Sequence, residues 1–230
     1  MVLDVFNQTE GKPLLIQPKS RLVMIGDSIT DCGRAKPIGE GRGEALGKGY
    51  VSLVDALLGT VYPGHEIRVT NMGTGGNTVR NLKERWQTDV IDLKPDWLSI
   101  MIGINDVWRQ YDLPTYSEKH VRIEEYESTL RELVGQTQPL VKGLVLMTPF
   151  YIEPNRDDAM RAAMDRYGQV VKKLAEETGA VFIDTQKAFD DVLPHYYPAT
   201  LAWDRVHPNM TGHMVLARAF LSGVGFGWNG

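Results

Sequence analysis

Residues 21–28 read Arg-Leu-Val-Met-Ile-Gly-Asp-Ser. Successive side chains of a strand point to opposite faces, so a half-exposed strand alternates apolar and polar residues. The unbroken run Leu22–Ile25 does not alternate. It suits a parallel strand covered on both faces. The run stops at Gly26-Asp27-Ser28, which puts a glycine and two polar side chains at the carboxyl end of that strand. Four further short apolar runs follow, Ile67–Val69, Trp97–Ile102, Leu144–Met147 and Val181–Ile183.

Stripes of helical period separate and follow these runs. Val51, Val54, Leu57 and Leu58 share one face, as do Val79, Leu82, Trp86 and Val90. The period returns in Ile123–Val134, in Met160–Leu174 and, near the end, in Met214, Ala217 and Leu221. Each stripe is read as core packing. Strands alternating with helices predict a doubly wound α/β sandwich. No internal repeat or linker divides the chain, so residues 21–230 are read as one domain and residues 1–20 as an N-terminal extension.

In such a fold, ligands bind outside the carboxyl ends of the strands, and glycines and polar residues gather there in this sequence. Gly26-Asp27-Ser28 follows the first run and Asn71-Met72-Gly73-Thr74-Gly75-Gly76 the second. Gly103-Ile104-Asn105-Asp106 follows the third. Asp204-Arg205-Val206-His207-Pro208 precedes the last helix.

Each block offers a distinct chemical group. Ser28, at a strand–helix junction, is a candidate nucleophile, and the helix N-terminus favours the negative charge that its attack would create. Of the five histidines, only His207 follows an aspartate by three residues in a segment closed by proline. One loop can then carry both groups, with Asp204 orienting the imidazole and His207 serving as base. The order Ser, Asp, His along the chain is no obstacle, because geometry defines a triad. Asn105 offers a side-chain amide as oxyanion donor, the glycine block a backbone N–H, and Ser28 its own N–H. Gly73, Gly75 and Gly76 are all candidates for the second donor. His213 is read as structural, and Arg109 and Arg205 as solvated or structural.

Taken together, the four blocks resemble those of the SGNH (GDSL) hydrolase family, in order and from about Leu22 to Phe220. The resemblance implies a three-layer α/β/α, flavodoxin-like fold with a five-stranded parallel sheet. It implies Ser28, Asp204 and His207 as the catalytic triad, and Ser28, Gly76 and Asn105 as the oxyanion hole. Gly76 is chosen because the family's donor glycine precedes Asn/Asp-Thr, here Asn77-Thr78. Longer stretches, among them residues 94–114 and 201–208, are similar to the bacterial acetylxylan esterases of this family. This implies deacetylation of xylo-oligosaccharides inside the cell, by a homo-oligomer that needs no metal or organic cofactor. The competing readings are a broad acyl hydrolase, such as a lipase or thioesterase, and a non-catalytic binding module.

Other features narrow the partners. Aromatic faces suit sugar rings. Trp108, close after Asn105, and Tyr197 and Trp203, close before Asp204, are read as substrate-binding. Lys and Arg total 25 and Asp and Glu 29, a net charge of −4, which argues against nucleic acid or an anionic membrane as partner. A lone cysteine, Cys32, forms no internal disulfide and fits a reducing compartment. The start of the chain carries Asp4 and Glu10 and no long apolar run, so a cytoplasmic protein is expected. Residues 43–49 fail as a phosphate loop, because glycine stands where Ser or Thr is needed.

Overall fold

Five strands form one parallel sheet in the order β2-β1-β3-β4-β5. They are β1 (Arg21–Gly26), β2 (Arg68–Asn71), β3 (Trp97–Met101), β4 (Gly143–Met147) and β5 (Val181–Ile183). In this computed structural model residues 13–227 are described. Residues 1–12 of the expected extension and residues 228–230 lie outside them. The apolar runs become strands nearly as read, with ends shifted by one or two residues. Leu22, Val23, Met24 and Ile25 are fully buried, as expected for a strand covered on both faces.

The helices among the described residues are α1 (Ser28–Asp31), α2 (Tyr50–Val61), α3 (Val79–Trp86), α4 (Ile104–Asp112), α5 (Ile123–Thr137), α6 (Ala159–Thr178), α7 (Thr185–Val192), α8 (Pro198–Leu201) and α9 (Met210–Gly223). On one face of the sheet α2 packs on α9; on the other, α3, α5 and α6 pack in succession. This three-layer arrangement follows from the strand order. The chain moves from β1 to β2 in one direction, then returns past β1 to β3, β4 and β5. Right-handed crossovers therefore put α2 on the face opposite α3, α5 and α6.

The reversal of direction leaves a crevice between the carboxyl ends of β1 and β3, which pair from Leu22↔Trp97 to Gly26↔Met101. At such a switch point the outgoing loops splay apart and open a binding crevice. Ser28 emerges on one side of it and Asn105 on the other, with the loop after β2 beside them. The described part of the extension packs against the domain. Ile16 is fully buried, Leu15 N–H donates to Val224 O at 2.9 Å, and Trp97 Nε1–H donates to Gln17 Oε1 at 3.0 Å. At the other end, Phe226 meets the Tyr62 ring edge-on, with centroids 5.4 Å apart. Among the described residues no helix is long and apolar enough to cross a membrane.

Candidate active site

The serine is held by a one-turn helix fixed at both ends. Asp27 caps α1, accepting the Ile29 N–H at 2.9 Å. Cys32 ends it in the left-handed region at φ 41°, its N–H bonded to Ser28 O. Asp27 is fully buried, and burial pushes its carboxyl up to about 7 against the pull of the Ile29 N–H and nearby His207.

Ser28 Oγ lies 2.9 Å from His207 Nε2, a hydrogen bond across 179 residues of sequence. His207 Nδ1 lies 2.6 Å from Asp204 Oδ2. The other carboxylate oxygen, Asp204 Oδ1, accepts the Val206 N–H at 3.0 Å and the His207 N–H at 2.8 Å. The three-residue spacing thus lets the Asp204 side chain cap its own turn while reaching the ring. Burial pushes the Asp204 carboxyl up, but the hydrogen bonds from the His207 ring and from these two backbone groups outweigh it and hold it below its ordinary range. An ionised Asp204 accepts Nδ1–H, leaving Nε2 unprotonated toward the serine.

The glycine block resolves into three different jobs. A Cβ on Gly73 would stand 2.1 Å from Asp31 N, so this glycine lets the β2 loop lie against α1. Gly75 faces Ser28, and its N–H donates to Asp31 Oδ2 at 3.1 Å. Gly76 adopts φ +77° with open space around its Cβ direction. It lines a cavity of about 430 Å³ together with Thr78, Arg80, Asn81 and Arg109. Asn105, 2 % exposed, donates through Nδ2 to Asn77 O at 3.0 Å. Asn105 is thereby tied to the residue that follows Gly76.

A match to the model of the GDSL-like lipase/acylhydrolase family spans residues 24–215, and so takes in all four blocks. The chain belongs to this family. It is 66 % identical over 208 residues to an acetylxylan esterase of Geobacillus stearothermophilus, covering 90 % of this chain and 95 % of that one. A crystal structure of that enzyme superposes with a TM-score of 0.92 at 64 % identity, over 93 % of this chain and 98 % of the other. Its solved structures include catalytic mutants with alanine in place of a serine, an aspartate or a histidine. An alpha/beta hydrolase enzyme from the metagenome of Lake Arreo, Spain, superposes with a TM-score of 0.91 at 55 % identity, over 92 % of this chain and 98 % of the other.

In this GDSL-like hydrolase the residues singled out in the sequence divide in two. Ser28, Asp204 and His207 form one hydrogen-bonded chain. The Trp108 ring meets the His207 ring edge-on, with centroids 5.8 Å apart. Tyr197 and Trp203 are 70 % and 83 % exposed and project into solvent. His213 is buried: its Nδ1 accepts the Tyr50 N–H at 3.3 Å and its Nε2 lies 3.2 Å from Cys32 Sγ. Burial and His207 push it down to about 4, so the ring is neutral. Burial raises the Cys32 thiol to about 11, which keeps it protonated. Arg205 is ion-paired with Glu153. Among the described residues no group of three or more His, Cys, Asp or Glu could hold a metal ion.

Three residues make contacts around the site that the sequence alone does not show. Arg85 donates to Gly26 O at 2.9 Å, Met72 O at 2.7 Å and Asn77 Oδ1 at 2.7 Å, clamping the loops after β1 and β2 together. Asp106, fully buried, accepts the Val79 N–H at 3.0 Å and so joins α4 to the start of α3. Arg109, expected to be solvated or structural, donates through Nη2 to Asn105 Oδ1 at 3.1 Å. The four-residue step from Asn105 to Arg109 on a helix was the available signal, since such residues are neighbours on one face.

Proposed function

We propose that the protein is a serine esterase that removes acetyl groups from xylan-derived oligosaccharides. The observation that carries the reading is the relay Ser28 Oγ–His207 Nε2–His207 Nδ1–Asp204 Oδ2, at 2.9 and 2.6 Å. In the related Geobacillus esterase the serine, aspartate and histidine altered in the catalytic mutants have the same spacing as Ser28, Asp204 and His207.

The reaction has two halves. His207 Nε2 takes the Ser28 proton as Oγ attacks the acetyl carbonyl. The resulting oxyanion receives the Ser28 and Gly76 N–H groups and the Asn105 amide. His207, now an imidazolium held by Asp204, gives its proton to the departing sugar hydroxyl, leaving acetyl-Ser28. A water then loses a proton to His207, attacks the acetyl group and releases acetate, and Ser28 regains its proton.

Polar lining supports a sugar ester over a long-chain acyl ester. Beside Gly76 the cavity is walled by Thr78, Arg80, Asn81, Glu84, Arg109 and Lys119, with Leu113 as its apolar member. Trp108, Tyr197 and Trp203 supply flat aromatic faces for the sugar rings. The unpaired Cys32 fits work in the cytoplasm, and the exposed ring of Tyr196 fits partial burial in a homo-oligomer.

The test is hydrolysis of p-nitrophenyl acetate and octanoate beside acetylated xylo-oligosaccharides, with Ser28→Ala as control. Acetate release from the sugars, with acetate ester cleaved well ahead of octanoate and both lost in the variant, is the expected result. Octanoate cleaved fastest, with the sugars untouched, would assign the triad to a lipase or thioesterase instead.

A further inference from the structure

Asn105 lies in the first turn of α4, and Arg109 lies one turn further on. Arg109 Nη2 donates to Asn105 Oδ1 at 3.1 Å, while Asn105 Nδ2 donates to Asn77 O at 3.0 Å. A guanidinium offers donors alone and a backbone carbonyl accepts alone, so both neighbours require the same orientation of the amide. An amide nitrogen carries two hydrogens. One goes to Asn77 O, which leaves the second for a ligand in the crevice.

Arg109 is itself held in place. It pairs with the Asp112 carboxylate three residues on, and its guanidinium carbon lies 4.6 Å from the centroid of the Trp108 ring. The cation thus approaches the carbonyl end of an amide that is 2 % exposed. A charged donor there makes a stronger bond than a neutral one. It also draws electron density toward Oδ1, which makes the N–H groups better donors.

We propose that Arg109 is a positioning residue for ester hydrolysis. It fixes the Asn105 amide with Nδ2 facing the oxyanion and polarises that amide, so that the remaining N–H binds the developing charge more strongly. The proposal rests on the serine-esterase reading and deepens it by assigning the oxyanion donor its own charged support.

A double-mutant cycle tests it, because coupling isolates an effect that passes through Asn105. The variants are Arg109→Met, Arg109→Lys, Asn105→Ala and the Asn105→Ala/Arg109→Met double. For each, kcat and KM are measured on p-nitrophenyl acetate, which lacks the sugar. Arg109→Met is expected to lower kcat about tenfold, a part of the roughly 10²–10³ that losing an oxyanion donor costs, with KM nearly unchanged. Arg109→Lys, which keeps a cation, should recover much of that loss. In the Asn105→Ala background the Met substitution should cost less than about twofold. An equal tenfold loss there would show that Arg109 acts by another route. A change confined to KM would make it a substrate contact, and a Lys variant as poor as Met would remove the role of charge. If Arg109→Met does not fold, the same cycle with Arg109→Gln decides. Ser28→Ala separates the two levels: activity surviving in it sinks the esterase reading and this proposal together, whereas an inactive Ser28→Ala with an additive cycle sinks the Arg109 role alone.

Discussion

Asp204→Asn changes one atom of the Asp204 side chain and should reverse the direction of the proton relay. The two backbone donors at Asp204 Oδ1, Val206 N–H at 3.0 Å and His207 N–H at 2.8 Å, decide how the new amide sits. They need an acceptor, so the asparagine oxygen stays with them. Its NH2 then takes the place of Oδ2, 2.6 Å from His207 Nδ1. An N–H facing Nδ1 forces the proton onto Nε2, where it points at Ser28 Oγ and cannot accept the serine proton. Turning the amide over would leave both backbone donors facing NH2, at about 1–3 kcal/mol for each unsatisfied group. The imidazolium formed during attack would also lose its carboxylate partner. A wrong-tautomer aspartate-to-asparagine change in a serine protease triad costs about 10⁴ in kcat, or roughly 5 kcal/mol of barrier. The same drop is expected here, with KM and melting temperature close to those of the unaltered protein. Steady-state hydrolysis of p-nitrophenyl acetate, with thermal unfolding alongside, measures both. An Asp204→Asn variant that melts normally yet keeps more than about a tenth of kcat would refute the argument that Asp204 sets the His207 tautomer.

Asn105→Ala should lower kcat by roughly 10²–10³ while moving KM little, since its hydrogen bond strengthens in the transition state; steady-state kinetics on the acetate ester would show it. His213→Ala should leave kcat within a fewfold of normal. It should cost stability, because the buried Tyr50 N–H loses its acceptor, a penalty of about 1–3 kcal/mol that calorimetry would register as a lower Tm. Asp106 is pushed up to about 7 by burial, and its Oδ2 finds no hydrogen-bond partner among the described residues. Between an ordinary aspartate pKa of about 4 and that raised value, the folded state holds a proton that the unfolded chain has released, so stability falls as pH rises through this window. Asp106→Asn keeps the acceptor for Val79 N–H and removes the titration. Its Tm relative to the unaltered protein should therefore improve by about 4 °C or more between pH 5 and pH 9, and a pH-independent difference would overturn that assignment.

Local physics made much of this protein legible in its sequence. A strand covered on both faces must be apolar at every position, so the five strands announced themselves as short unbroken runs, and the helices between them as stripes of the helical period. Asp204 and His207 are a local pair, because three residues of one turn are enough to bring a carboxylate to an imidazole. The assignment of the four blocks to one site drew on family resemblance as well as on their common place after strands or before a helix.

Tertiary structure alone decided the rest. No local rule joins Ser28 to His207; the strand order and the packing of α9 against α2 do so. Gly73, Gly75 and Gly76 look alike in sequence and differ in what surrounds them: the α1 backbone at Gly73, the serine at Gly75, open space at Gly76. Arg109 illustrates the same limit from the other side. Its helical step from Asn105 was visible, but a step on a helix does not say whether the neighbouring amide caps a turn or faces a reactive crevice. That depends on where the loop after β2 meets the start of α4, at the bond from Asn105 Nδ2 to Asn77 O, a long-range contact. Short-range preferences fix which elements form, and the closure of distant segments over the switch point of the sheet fixes which side chains meet.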